Sequence, residues 1–360
     1  MMSNAGCVVN RPAHPKTVSW THSTLADAEL DDQEQSLWQD AETLQAELME
    51  AGAFLDAPEL ETYLSDIVSS IAPQMPESGP KIRVSILADT DRNAYASPNG
   101  DILISASLLA SLENEAQLVF LLGHEISHIV RRDSLTSSIY SDLAPSHVDR
   151  MLLSRKIESN ADHDGFGVLT RAGYDPKQAS LALEHLKGQS PPARRISSWD
   201  SHEDIHGRIR TLLVKANEHP KNGQSLKPEF SFLKQIDAIR LSVAQLEIDA
   251  GSLSQAKTRI QEHLHRDHTS STAHYMLAQV IRKLSPERSK DPLVERHYRL
   301  AVNYAPEDPV PLRALGLLLR RVDQKDESTR LLKRYLDLKP DAEDRKLIER
   351  YIQRDANPGL

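Results

Sequence analysis

The chain of 360 residues contains one cysteine, Cys7, only 5% aromatic residues and no long apolar run. A single thiol excludes a disulfide framework within the chain. The longest apolar candidate, Ala116 to Gly123, falls far short of the roughly 20 residues that a membrane-spanning helix needs. Positive charge is also scarce: 43 Lys plus Arg stand against 52 Asp plus Glu, a net charge of −9, with no basic stripe along the sequence. The counterion-release drive for nucleic-acid binding is therefore missing, and nucleic acid is excluded as a partner. What is present is 39% hydrophobic content in a chain long enough for two or three domains of about 150 residues each.

Residues 1–20 carry Pro12 and Pro15 among polar residues without periodicity and read as a flexible tail. Within it, Ala5-Gly6-Cys7 resembles the end of a bacterial lipobox, which makes Cys7 a candidate lipidation site, although the usual apolar run upstream is absent. A first domain is expected over 21–216. Its apolar spacing predicts helices over 24–54 and 58–71, then strands at 81–88 and Asp101 to Ser105 separated by the turn signal Pro98-Asn99-Gly100. Helical periodicity returns over 114–132, 151–172, 178–186 and 205–216. Pro220, Asn222, Gly223 and Pro228 mark a linker over 217–232.

Beyond the linker, 233–356 is helical and repetitive. Pro306 and Pro340 are separated by the period of a tetratricopeptide repeat, with Leu312, Leu315-Gly316, Leu319 and Leu332 at its template positions. Earlier units offer Leu277-Ala278, Tyr298 and Ala301, and then Gly251, Ala256 and Ile260. Such a stack presents a concave surface for another polypeptide. His263, His265 and His268 fall at a repeat turn and read as solvated loop histidines.

The chemistry-bearing motif is His124-Glu125-Ile126-Ser127-His128. Imidazoles four residues apart on a helix share one face and can hold one zinc ion, with the intervening Glu placed to take a proton from the attacking water. A third protein ligand is needed. An extended motif ending in a later Gly and His is excluded, because those positions are Arg131 and Ser134. A carboxylate from a later helix is the alternative, and Glu158 and Asp162 lie on one helical face, Glu158 as ligand and Asp162 as acceptor from a ligand imidazole. Taken alone, that acidic pair reads as an ordinary solvated helix face.

The ordered series Asn93-Ala94-Tyr95-Ala96, Pro98-Asn99-Gly100-Asp101-Ile102-Leu103-Ile104, Gly123-His124-Glu125-Ile126-Ser127-His128, Glu158-Ser159-Asn160-Ala161-Asp162 and Ala172-Gly173-Tyr174-Asp175-Pro176 resembles the zinc metallopeptidases that include the CAAX prenyl endopeptidases and HtpX. Within that family it is most similar to the soluble periplasmic, BepA-like branch with C-terminal tetratricopeptide repeats. The resemblance implies an α+β, mostly helical fold, a zincin-type metallopeptidase domain with a small sheet, followed by an all-α repeat domain. It implies one Zn2+ held by His124, His128 and Glu158, Glu125 as general base and later proton donor, and Asp162 supporting a ligand imidazole. The strand Asp101, Ile102, Leu103, Ile104 and Ser105 would be the edge that pairs with an extended substrate. His202 and Arg208 match a family His-and-Arg element, with Glu203 where a Pro usually stands. There His202 takes the fourth zinc position and closes the site; His206 is its rival.

The implied function is a zinc endopeptidase cleaving unfolded or misassembled proteins of a Gram-negative periplasm, with outer-membrane assembly machinery as a partner of the repeats and a membrane contact only through a lipid on Cys7. The alternative is a chaperone or scaffold acting through the repeats around a closed or structural zinc site. Two departures from the family stand out: Asp133 occupies a position where relatives often carry His, and Gly123 replaces a small Ala at a cost of up to about 1 kcal/mol in helix propensity. Neither is expected to touch a zinc ligand.

Overall fold

The computed structural model describes residues 19–20, 32–77, 79–143, 146–187, 205–219, 229–284 and 292–356. Two compact units, Met1–Ile236 and Asp237–Leu360, divide the chain. The first holds α1 (Asp32–Glu50), α2 (Pro58–Ile71), β1 (Arg83–Leu87), β2 (Ala94–Ala96), β3 (Asp101–Ser105), α3 (Ala106–Ser111), α4 (Glu115–Arg131), α5 (Asp133–Asp142), α6 (His147–Arg171), α7 (Gln178–Glu184) and α8 (Ile205–Glu218). Residues 1–18 of the expected tail, Cys7 among them, the early part of the first expected helix, and His202 lie outside the described residues; the last two residues expected in that tail are instead held in the fold, Trp20 buried and Ser19 Oγ donating to Val130 O at 2.9 Å. No helix among the described residues is long and apolar enough to cross a membrane.

Local chemistry accounts for the main elements. Pro58 opens α2, where its missing N–H costs nothing, and Leu60, Leu64, Ile67 and Val68 form the buried face. Asn114 caps α4 by accepting from the Gln117 N–H, and Glu115 adds charge to the first turn. Inside the fold the Glu115 carboxylate receives the hydroxyls of both Tyr63 and Tyr174, tying α2 and the segment after α6 to the start of α4. The first helix is shorter than its apolar spacing predicts, ending at Glu50 ahead of Gly52, whose φ of 66° suits only a turn.

The sheet has three strands in the order β1-β3-β2, β1 parallel and β2 antiparallel to β3. This corrects the expected edge strand. The turn at 97–100 folds β2 back onto β3 while β1 pairs along its other side, so Asp101, Ile102, Leu103, Ile104 and Ser105 have both flanks taken and are all buried. The outer side of β1 is itself bridged by Phe54, with Leu55 N–H donating to Ile86 O. The open edge among the described residues is β2, three residues long and too short to show a period of two in the sequence.

In the second unit, α9 (Glu229–Asp249) starts within the expected linker, whose last four residues are therefore helical, and runs through the division between the units. It is followed by α10 (Leu253–Arg266), α11 (Ser271–Leu284), α12 (Pro292–Tyr304), α13 (Pro309–Arg321), α14 (Lys325–Leu338) and α15 (Arg345–Ala356). Helices adjacent in sequence bury matching apolar stripes: Ala256 and Ile260 with Met276 and Leu277, Tyr298 with Leu315 and Leu319, and Leu312 with Leu332 and Ile348. Gly316 lets α13 and α14 approach closely, since a Cβ there would stand 2.8 Å from the Leu332 side chain. One histidine departs from expectation: His263 lies on the buried face of α10, and burial holds its imidazole below the usual range, while His265 and His268 are exposed.

Candidate metal centre

The α4 helix runs through the core of the first unit, and nearly every residue from Glu115 to Ser127 is buried. Two imidazoles one turn apart in such a place carry a desolvation cost that only strong partners offset. His124 Nε2 and His128 Nε2 face each other 3.1 Å apart. From α6, the Glu158 carboxylate reaches in, Oε2 at 3.5 Å from His124 Nε2 and Oε1 at 3.7 Å from His128 Nε2. The three residues offer one ligand atom each within 4.8 Å of one another. Two nitrogens bound to a single tetrahedral zinc at 2.0–2.1 Å would sit roughly 3.3 Å apart, so the donor set and its spacing fit that ion.

The approach of the two helices depends on glycine. Gly123 on α4 and Gly165 on α6 lie against each other, a Cβ on Gly123 falling 3.2 Å from Gly165 Cα. A Cβ on Gly165 would stand 2.9 Å from Phe120 O and 3.0 Å from the His124 backbone nitrogen. Gly123, which costs helix propensity in isolation, therefore lets α6 come near enough for Glu158 to meet the histidines. The sequence carries the two glycines but not their facing.

The other imidazole nitrogens are held by carboxylates. Asp162 Oδ1 lies 3.1 Å from His124 Nδ1, and Asp133 Oδ2 lies 2.9 Å from His128 Nδ1. At His128 the Nδ1–H donates to Asp133 and leaves Nε2 to face the site, and the Asp162 carboxylate beside His124 Nδ1 favours the same tautomer there. Asp133 thus contacts a zinc ligand directly, against expectation. Its placement comes from Arg132, a non-glycine residue at φ 55° that ends α4 and turns the chain into α5. That conformation is held from afar: the Arg132 guanidinium pairs with the buried Glu34 carboxylate of α1, Nε donating to Oε1 at 2.9 Å, and lies 4.5 Å over the Trp20 ring. No local pattern in the sequence signals this contact.

Arg208 is buried in α8 and closes the other side. Its Nε and Nη2 donate to Asp162 at 2.8 and 2.7 Å, and Nη1 lies 2.5 Å from Glu158 Oε2. Burial alone would raise the Asp162 carboxyl, but Arg208 and His124 outweigh it and hold the group down at about 2. Burial opposes charge on His124, yet Asp162 and Glu158 push its imidazole up to about 10. The carboxylates thus favour positive charge at His124, which a metal ion can supply in place of the proton. Glu125, next to His124, is buried and within electrostatic reach of Arg208. His206 is an exposed residue of α8.

If Asp133 fixes the His128 ring, Asp133→Asn should lower zinc affinity by about 10–100-fold. A competition titration against a chromophoric chelator measures this, with thermal melting as the control for folding.

A small sheet beside a buried helix bearing His-Glu-x-x-His, completed by a carboxylate from a later helix, has the ligand set of a zinc-dependent metallopeptidase site. Residues 58–148 match the sequence model of Peptidase family M48. Glu158, Asp162 and Arg208 lie beyond that match and are placed by the geometry alone. Mitochondrial metalloendopeptidase OMA1 of Arabidopsis thaliana is 31% identical over 113 residues, 26% of this chain and 23% of the relative. Its Schizosaccharomyces pombe counterpart is 26% identical over 174 residues, 42% of this chain and 51% of the relative. Beta-barrel assembly-enhancing protease of Escherichia coli is 21% identical over 175 residues, 40% of this chain and 36% of the relative. The chain spans about half the length of these relatives at most.

Proposed function

We propose that the chain is a zinc-dependent endopeptidase that hydrolyses peptide bonds in unfolded or misassembled protein substrates. The observation that carries this reading is the convergence of His124, His128 and Glu158 on one point beside the buried Glu125. Zinc in such a site supplies Lewis-acid polarisation of the scissile carbonyl and makes the attacking water more acidic. Glu125 takes the proton from that water and returns it to the leaving amine. Asp162 and Asp133 favour the tautomer of His124 and His128 that presents Nε2, and Arg208 holds Asp162 ionised and both it and Glu158 in place. The open edge of β2 offers main-chain hydrogen bonds to an extended substrate, taking the role expected of β3.

The setting belongs to the same proposal. Likeness to beta-barrel assembly-enhancing protease and the lipobox-like Ala5-Gly6-Cys7 favour the Gram-negative periplasm, with outer-membrane protein assembly or quality control as the task and the helical stack, of tetratricopeptide type, as the part that engages clients and the assembly machinery. Purified chain loaded with zinc should cleave unfolded casein, lose activity to a chelator and regain it with zinc. A zinc-replete chain that cleaves no unfolded protein would overturn the reading.

A further inference from the structure

The second unit holds a groove of about 440 Å³, a volume within the usual range of ligand sites. Its walls come from α11 and α13, and the end of α14 closes it. Four cationic side chains line it, Arg282, Arg313, Arg321 and Lys339, against the two carboxylates of Glu343 and Asp344. Asp344 is already engaged, accepting from Arg313 Nε at 2.6 Å and from the Tyr335 hydroxyl at 2.7 Å. That leaves Arg282, Arg321 and Lys339 facing Glu343, a positive surplus inside a chain whose net charge is −9.

The surplus is uncompensated. Arg321 and Lys339 are exposed and make no ion pair among the described residues, and Arg282 donates only to the neutral amide of Gln279 at 2.7 Å. Concave walls focus the field of such charges on whatever enters. Between the cations lies apolar surface, Tyr275 and the 48% exposed Val310. The buried Tyr298, its ring 6.0 Å from that of Tyr275, has a hydroxyl with no hydrogen-bond partner among the described residues and lies within electrostatic reach of Arg282 and Arg321.

We propose that this groove binds an extended acidic segment of a protein client, its Asp and Glu carboxylates on Arg282, Arg321 and Lys339 and its apolar side chains against Tyr275 and Val310. Charge complementarity selects the occupant: a basic segment would meet three unpaired cations, and a purely apolar one would strip water from them without return. The inference is independent of whether the metal centre cleaves, because it concerns binding alone.

The test is fluorescence anisotropy of the full chain with a fluorescein-labelled acidic peptide, DELDEY, and its basic counterpart, KRLKRY. The acidic peptide should bind and the basic one should not, and Arg321→Glu and Lys339→Glu should each weaken binding by about tenfold, since both residues are exposed and their reversal spares the core. Equal binding of the two peptides, or undiminished affinity in both charge reversals, would overturn the proposal. So would tighter binding of phosphatidylglycerol vesicles lost in the same variants, which would assign the groove to a membrane. Casein cleavage plays no part in the readout, so failure here and failure of the peptidase reading are separately visible.

Discussion

Glu125→Gln should reduce cleavage of unfolded casein by at least about 10²–10⁴-fold, the usual share of a positioned general base, while zinc stoichiometry stays unchanged. The substitution keeps the size of a buried side chain and removes its capacity to take a proton. His124, His128 and Glu158 converge on the site without help from Glu125, so metal retention is expected. The pairing of the two measurements is what discriminates. Loss of both zinc and turnover would mean that Glu125 supports the site rather than acting in it, and retained turnover in a zinc-replete variant would remove Glu125 from the mechanism.

Gly165→Ala should damage the α4–α6 crossing, and with it the metal site, through a single methyl. The added Cβ meets Phe120 O at 2.9 Å and the His124 nitrogen at 3.0 Å, backbone atoms of a buried helix that cannot rotate aside. Overpacking of this kind costs about 1–3 kcal/mol. Relief has to come from moving α6 away from α4, and that motion draws Glu158 and Asp162 off the imidazoles. A fall in zinc affinity of about tenfold or more is therefore expected alongside the lower melting temperature. Gly167→Ala is the matched control, because a Cβ there meets only the tip of the Arg171 side chain at 3.1 Å. Equal effects from the two substitutions would show that the crossing does not set the cost, since helix propensity favours alanine over glycine at both positions.

What the sequence made legible was local. His124 and His128 share a face because they are one turn apart, and the cap at Asn114 and the proline start of α2 follow from backbone chemistry within four residues. Glu158 and Asp162 were distinguishable from a solvated acidic pair only through resemblance, since the decisive fact is the crossing at Gly123 and Gly165. Gly123 was read as a propensity cost because its benefit belongs to a partner helix. The edge role of Asp101 to Ser105 was misread for a related reason: β2 has three residues, and the fact that β3 is flanked on both sides is a property of the sheet rather than of any strand. Asp133 gave no sign of its contact because a bend, not a period, brings it to His128.

That bend is held by Glu34, 98 residues away in sequence from Arg132, and by the Trp20 ring. A long stretch of chain must therefore close before His128 acquires its carboxylate, and such closures come late because their entropy is lost before the contact repays it. Zinc capture then becomes a proofreading step for folding. A chain whose first helix has not docked would hold the metal poorly, and in a peptidase this delays the acquisition of hydrolytic power until the molecule is itself too well folded to be its own substrate.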